Sequence, residues 1–409
     1  MPTIAIIGGG LAGAKAAQAL REQDFDGDVV LFGAEDHLPY ERPPLSKDYL
    51  AGSKSLSEFT VHDGDWYRDQ RVDLRPGTAI EKIDAAGHSV SLPDGNSLSY
   101  EKLILATGSR SRHLDLPGAD AGGVHHLRTY DDAVALSEAI SDGVRIAIVG
   151  GGWIGLEVAA SARERGAEVA VVEAAEQPLI GALGAEVGAV FADLHRAHGV
   201  DLHTGVGVQE IVVDGGRARG LRLDNGQRID ADLVLVAAGA IPNLEVAESA
   251  GLDIGDGGVL VTSGLRSSDP DIYAVGDIAN AEHPVLGRRV RTEHWANALN
   301  QPAIAVTNAL GGNAEYTNLP YFFTDQYDLG MEYAGLASGN DHVVFRGDVE
   351  GREFVVFWLD DDDHIRAGMQ VNIWDQLDTI KELITSGNRV DTAKLADPDV
   401  GLGEVTVHS

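Results

Sequence analysis

The chain is expected to be an α/β protein with two Rossmann-like dinucleotide-binding domains and a small α+β domain at its C-terminal end. Three observations predict this. The spacing G-x-G-x-x-G occurs twice, at Gly8, Gly10, Gly13 and at Gly150, Gly152, Gly155, each time between a short apolar run and a helical pattern. The second copy leads into another apolar run, Val169–Val172, that ends on the acid Glu173 and completes a βαβ unit. From about Pro320 onward the pattern changes to short alternating strands with one late helix.

Composition narrows the partners. The 409 residues suggest two or three domains, each large enough to bury a core. A net charge of −33 argues against nucleic acid and anionic membrane, because phosphate binding depends on clustered Lys and Arg. No run of about 18 apolar residues occurs, so no membrane span is expected. Met1–Ile7 runs straight into a strand, so no signal peptide is expected either, and a cytoplasmic monomer or homodimer is the expectation. The chain has no cysteine, which removes disulfides, thiolate metal sites and every redox route through a protein dithiol or a sulfenic acid. No metal site is expected; His294 has no ligand spacing around it and reads as a hydrogen-bonded structural histidine.

Taken in order, the first fingerprint has its strand at Thr3–Ile7, its glycines, a helix to about Arg21 and a second strand at Val29–Phe32. The acid arrives slightly late, and Glu35 is the candidate for an adenosine ribose. Two such folds in one chain suggest one tightly held flavin dinucleotide and one exchangeable nicotinamide dinucleotide joined at one active site. In Leu38–Lys47, L-P-Y-E-R-P-P-L-S-K, the prolines hold the backbone extended and then start a short helix. That suits a rigid loop presenting Arg42 and Lys47 to a ligand, or a stiff surface loop with solvated charges. A short helix at Asp63–Arg71 and meander strands at Thr78–Asp84, Ser89–Leu92 and Ser97–Tyr100 follow, with an Asp94-Gly95 turn. Leu103–Gly108 is a buried strand ending in A-T-G. Arg110 and Arg112 come next, either facing phosphate or a partner or forming an exposed pair. Arg128 precedes a helix at Asp131–Ser141 and reads from the residues alone as a capping or surface arginine.

In the second fingerprint each glycine has a physical job. Gly150 allows the tight turn, Gly152 lets backbone N–H groups approach a pyrophosphate at the helix N-terminus, and Gly155 lets helix and strand pack closely. Glu173 would accept hydrogen bonds from a ribose 2′-OH and repel a 2′-phosphate, and Ala174 and Ala175 offer no arginine to receive one. NAD(H) is therefore expected over NADP(H). A helix near Ala185–His198, strands at Val206–Val213 and Ala218–Leu223, an Asn225-Gly226 hairpin and a buried strand at Leu233–Ala237 complete this domain. Asp271–Ala279 reads as a buried strand delivering Gly276 and Asp277 into a turn that opens a helix. Asp277 could there bond a flavin ribityl hydroxyl while the helix N-terminus faces phosphate, or could simply cap the helix. Beyond Pro320, strands are expected at Tyr321–Thr324, Met331–Gly335, His342–Gly347, Phe354–Leu359 and Ile365–Met369, then a helix at Trp374–Thr385; Asp360–Asp363 is a solvated hairpin tip.

The N-terminal fingerprint, P-Y-E-R-P-P-L-S-K and the second fingerprint ending in G-L-E resemble, over nearly the whole chain, the FAD-dependent NADH:ferredoxin reductases of bacterial oxygenase systems. That group, similar to putidaredoxin and rhodocoxin reductases, is glutathione-reductase-like in fold and belongs to the pyridine nucleotide-disulfide oxidoreductase superfamily without its redox disulfide. The resemblance implies tightly bound FAD, NADH as donor and a [2Fe–2S] ferredoxin as acceptor, feeding a haem-thiolate monooxygenase or a ring-hydroxylating dioxygenase. It implies a discontinuous FAD-binding domain over 1–115 and 242–320, an NAD-binding domain over 116–241 and the C-terminal α+β domain over 321–409. The FAD contacts it implies are Gly8, Gly10, Ala12, Gly13, Glu35, Arg42, Lys47, Ile80, Thr107, Gly108, Arg128, Gly276, Asp277 and Trp295. The NAD contacts are Gly150, Gly152, Ile154, Gly155, Glu157, Glu173 and Gly239. Trp295, in R-T-E-H-W-A-N-A, would border the isoalloxazine or be a core tryptophan. Where the family usually has Trp in P-Y-F-x-[ST]-D-Q-Y this chain has Phe323, keeping an aromatic wall without an indole N–H.

The resemblance also implies that Glu157 is the partner of Lys47, which makes the two the candidate catalytic pair. A fixed cation near flavin N5 favours negative charge on the reduced ring, and pairing would hold the ammonium in position. Taken apart, they read as a solvated lysine and a first-turn carboxylate favoured by the helix dipole. With no cysteine, the acceptor must take electrons directly from the flavin, so thiol-based reductase readings fail. Rubredoxin and monodehydroascorbate reductases share every motif and remain alternatives; an apoptosis-inducing-factor-like interaction protein would need a positive surface that this chain lacks. Arg288, Arg289 and Arg291 are the densest basic cluster and the candidate ferredoxin-docking patch.

Overall fold

Strand Thr3–Ile7 pairs in parallel with Asp28–Phe32 on one side and Lys102–Leu105 on the other. It is the middle of a five-stranded parallel sheet in the computed structural model of the chain, which describes residues 1–339 and 341–407. Ile272–Ala274 and Val72–Arg75 form the outer strands. All but the edge strand Val72–Arg75, which alternates, are apolar runs without alternation because both faces of such a sheet are covered. The helix Leu11–Glu22 buries its alanines against one face. A second five-stranded parallel sheet repeats the plan in the order Asp201–Thr204, Glu168–Glu173, Arg145–Val149, Leu233–Val236, Val124–His125, with the helix Trp153–Glu164 after its fingerprint. The expected α/β class is the fold the chain adopts.

The chain divides into two compact units: residues 1–42, 55–110 and 240–320, and residues 43–54, 111–239 and 321–409. In the second, the antiparallel sheet Tyr321–Gln326, Leu329–Gly335, Ile365–Val371, Glu353–Leu359, His342–Asp348 shares a core with the fingerprint helix and its neighbour. Leu156, Leu183, Val187 and Phe191 pack there with Met331, Phe354, Trp358 and Met369. The Trp358 indole N–H donates to the Leu183 carbonyl at 3.0 Å. The short segment 43–54 belongs to this unit too. Pro43–Ser46 is one 3₁₀ turn, and Arg165 on the fingerprint helix's C-terminal side donates to the Leu50 carbonyl at 3.0 Å.

Three elements differ from expectation. After Gly276 and Asp277 the chain makes one 3₁₀ turn, Gly276–Ile278, and continues as the strand Ala279–His283 instead of opening a helix. That strand finds partners on both sides, Gly258–Val261 and Arg288–Val290, and ladder bonds outcompete a helix with no cap. Of Thr78–Asp84 only Ile83–Asp84 pairs, since Thr78 is already tied by its N–H to the Gly33 carbonyl. The helix expected from Ala185 begins at Ile180, with a kink at Gly184, whose φ is +82°. Among the described residues no helix is long and apolar enough to cross a membrane.

The glycines that shape both fingerprints are sterically required. A Cβ on Gly13 would sit 1.9 Å from the Gly8 carbonyl oxygen, and one on Gly155 would sit 2.1 Å from that of Gly150. Around Gly10, the N-cap of its helix, a Cβ would meet nothing within 4 Å. Gly13→Ala is therefore expected to cost about 1–3 kcal/mol in urea unfolding of the unliganded chain. Gly10→Ser, at a capping position serine favours, is expected to stay within about 0.5 kcal/mol of the parent. Equal losses at the two sites would show that close helix–strand approach is not what Gly13 provides.

Candidate functional site

In the first unit the glycine turn and the A-T-G turn meet. A Cβ on Gly8, whose φ is +123°, would lie 2.0 Å from the Ala106 carbonyl oxygen, so only glycine lets the fingerprint approach Thr107. Thr107 Oγ1 donates to the Asn243 carbonyl at 2.7 Å, and the Asn243 N–H donates to the Gly108 carbonyl at 2.8 Å. Ala12 sits against Gly276, whose N–H donates to Gln301 Oε1 at 2.7 Å, with Asp277 buried beside it. Gly10 caps its helix with no side-chain hydrogen bond, so the first amides of that helix remain for an anion. Glu35 is clamped: Arg42 Nη2 donates to Oε1 at 2.7 Å and the Tyr40 hydroxyl to Oε2. Burial works against the Arg42 charge, but Tyr40 and Glu35 outweigh it and hold its pKa above the usual value. Ile80 lies in the hydrophobic core. Trp295 is half-buried and its indole N–H donates to Glu41 Oε2 at 2.9 Å.

In the second unit a cavity of about 580 Å³ opens beside the other fingerprint, lined by Gly150, Gly152, Glu173, Ala174 and Ala237 through Gly239. Gly152, like Gly10, is an N-cap with no side-chain bond and open space where a Cβ would be. Glu173 accepts the Gly151 N–H at 2.7 Å and the Ala175 N–H at 2.8 Å. A carboxylate offers about four acceptor positions, so two remain for ribose hydroxyls while the group is held still. Ile154 is exposed in the first helical turn. The N–H groups of Arg128 and Thr129 both donate to Asp132 Oδ2, a capping box that starts the helix Tyr130–Ala139.

Lys47 and Glu157 come together in this same unit. Lys47 Nζ lies 3.2 Å from Glu157 Oε1, with the two side chains 13% and 4% exposed. Lys47 Nζ also stands 4.4 Å from the centroid of the Phe323 ring, an attraction of about 0.5–2 kcal/mol that needs no indole. The carboxylate is further held by Thr324 Oγ1, 2.6 Å from Oε1, and by Ser46 Oγ, 2.5 Å from Oε2. Ser161 Oγ in turn donates to the Ser46 carbonyl at 2.8 Å. Thr324 is joined to Gln326 at 3.3 Å, and Gln326 to His195 Nε2 at 2.8 Å.

Of the residues expected around the flavin, Lys47 and Arg128 thus belong to the second unit and the others to the first. The expected docking arginines are engaged. Arg289 donates to the Val261 and Asn280 carbonyls and pairs with Glu282, while Arg291 donates to the Asp277 carbonyl and pairs with Glu293. Two of the three therefore brace the strands around them, their charge locally balanced. Sequence reading missed Ser46, Thr324, Gln326 and His195. Ser46 and the Thr324–Gln326 pair stand inside motifs already singled out, and i, i+2 spacing on a strand puts Thr324 and Gln326 on one face. Nothing in the sequence signals His195.

Residues 2–301 match the pyridine nucleotide-disulphide oxidoreductase family and residues 321–406 the reductase C-terminal family. The chain is 42% identical to the anthranilate 1,2-dioxygenase system ferredoxin–NAD(+) reductase component of Burkholderia cepacia, over 97% of each chain. It is 35% identical to putidaredoxin reductase of Pseudomonas putida, over 98% of this chain and 96% of that one. Among solved structures, the covalent putidaredoxin reductase–putidaredoxin complex superposes with a TM-score of 0.94 at 34% identity, over 98% of this chain and 97% of that one. A ferredoxin reductase of Rhodopseudomonas palustris gives the same TM-score of 0.94, over 100% of both chains at 34% identity.

His195 carries a pH dependence. Burial pushes its pKa down to about 4, against a smaller opposing pull from its bond to Gln326. Below about pH 6.5 the unfolded chain takes a proton that the folded chain refuses, so this residue withdraws about 3 kcal/mol of stability as the pH falls to about 4. Urea unfolding across that range should show the loss, and His195→Leu should flatten the slope by about that amount while lowering stability at pH 7. An unchanged slope would mean that His195 titrates normally.

Proposed function

The chain belongs to the pyridine nucleotide-disulphide oxidoreductase family, and from that premise we propose that it passes electrons from NADH, through bound FAD, to a [2Fe–2S] ferredoxin that serves an oxygenase. Ferredoxin and putidaredoxin reductases that match the chain almost end to end support this reading. The observation that carries it is the buried Lys47–Glu157 pair in a chain without cysteine. With no sulfur to relay electrons, the acceptor has to be served from the ring itself. The reaction belongs in the cytoplasm, where NADH is available.

The residues present fit both dinucleotides. Two helix N-termini without capping side chains, each behind a turn that only glycine can make, offer N–H groups to pyrophosphate. When bound, the flavin supplies the conversion between a two-electron hydride donor and a one-electron acceptor. Glu173, held by two backbone N–H groups, would position the adenosine ribose and turn a 2′-phosphate away. Lys47 would keep a fixed positive charge beside the reacting rings, and Glu157 would keep that ammonium from swinging out to water. Phe323 would wall the ammonium on its other side and exclude water there.

Acceptor assays test the proposal. The NADH-reduced protein is expected to reduce an oxygenase-type [2Fe–2S] ferredoxin with kcat/KM about 100-fold or more above that for rubredoxin or the monodehydroascorbate radical. Preference for either of those acceptors would reassign the function. NADH should also be preferred over NADPH, with Glu173→Ala narrowing the gap about tenfold or more through NADPH KM. An unchanged ratio would remove Glu173 from the nucleotide site.

A further inference from the structure

Four polar side chains that the proposed reaction does not use directly are buried in the second unit. Ser46, His195, Thr324 and Gln326 are each at most 1% exposed. Buried polar groups persist where they satisfy one another, and here the bonds have a direction that can be worked out from the carboxylate backward. Glu157 Oε1 is an anionic acceptor 2.6 Å from Thr324 Oγ1, so it takes the single hydroxyl proton. Thr324 then has only lone pairs for Gln326, 3.3 Å away, and Gln326 must present its NH₂. The amide oxygen of Gln326 therefore faces His195, and His195 carries its proton on Nε2, 2.8 Å away.

The opposite arrangement is worse at both ends. A turned amide would draw the Thr324 proton away from the carboxylate, and it would force the proton of His195 onto Nδ1. That atom is buried with no partner among the described residues, and a bare lone pair is tolerated there better than an N–H. The depressed pKa of His195 keeps the ring neutral at physiological pH, so the arrangement persists. Ser46 Oγ completes the shell on the other carboxylate oxygen.

We propose that His195, Gln326 and Thr324 form a one-way donor chain that fixes Glu157 as the anion facing Lys47, and are thereby positioning residues for hydride transfer. The inference rests on the role given above to the Lys47–Glu157 pair. It makes the D-Q-Y end of the P-Y-F-x-[ST]-D-Q-Y motif functional in this chain through its Gln, with His195 as the terminal donor.

Two readouts test it in the full-length chain. In urea unfolding of the flavin-free protein, Thr324→Val should lower stability, and on a Glu157→Gln background its effect should fall to less than about half. In anaerobic single-turnover mixing with NADH, Thr324→Val should bleach the flavin about tenfold or more slowly, with the NADH concentration dependence changed less than about threefold. Thr324→Ser should recover most of the rate. Gln326→Met, read the same way, decides the question if Thr324→Val does not fold. Equal effects with and without Glu157, or bleaching at the parent rate, would overturn the chain as a positioning device. A parent protein that NADH does not bleach would instead sink the hydride-transfer reading, leaving the unfolding result to judge the donor chain alone.

Discussion

Taking an ammonium and a carboxylate out of water costs several kcal/mol per ion, and breaking such a pair by removing one partner costs about 3–5 kcal/mol. The Lys47–Glu157 pair imposes that constraint on the second unit. Lys47 comes from a proline-started turn, Glu157 from the fingerprint helix, and Phe323 and Thr324 from a strand more than a hundred residues later. All three elements have to close on one carboxylate before its charge is satisfied. Ser46, Ser161 and Arg165 add bonds that hold the turn against the helix, so the pair is supported on each side. That rigidity is the property a fixed charge beside a reacting ring requires.

The dinucleotide cradles rest on a simpler constraint. At Gly8 and Gly150 the backbone has positive φ, and at Gly13 and Gly155 a side chain would collide with a carbonyl oxygen. The resulting turns leave helix N-termini uncapped by side chains, which is unfavourable for an isolated helix and favourable for one that meets a phosphate. Glu173 is held by the Gly151 N–H, so the turn whose amides would meet pyrophosphate in the proposed function also aims the acid that would read the ribose. In an acidic chain these N-termini supply local positive potential that the net charge of −33 does not.

What the sequence made legible follows from what is periodic or sterically unique. The two fingerprints and the alternating C-terminal strands were readable because glycine spacing and strand alternation each constrain a short stretch, whereas the pairing of Lys47 with Glu157, 110 positions apart, was suggested only by the resemblance to a known family. The helix expected after Asp277 was not there, because Ala279–His283 finds ladder partners far away in the chain, and local pattern does not report on distant partners. The arginines at 289 and 291 stood out in the sequence as a basic cluster, but Glu282, Glu293 and the carbonyls that they bind come beside them only in the fold. His195 was invisible for the same reason: a histidine in an apolar helix face acquires a role only when Gln326, 131 residues on, is brought to 2.8 Å.

The central claim is that a buried lysine–glutamate couple, with no sulfur relay, governs the passage of hydride from nicotinamide to flavin. The measurement that tests it most directly is anaerobic stopped-flow bleaching of the yellow protein by NADH, in the parent, Lys47→Met, Glu157→Gln and the double variant. The account predicts that the parent bleaches in one turnover, that each single variant is slower by about 10–100-fold, and that the double variant is little worse than either. A parent that keeps its colour, or variants that bleach at the parent rate, would contradict it.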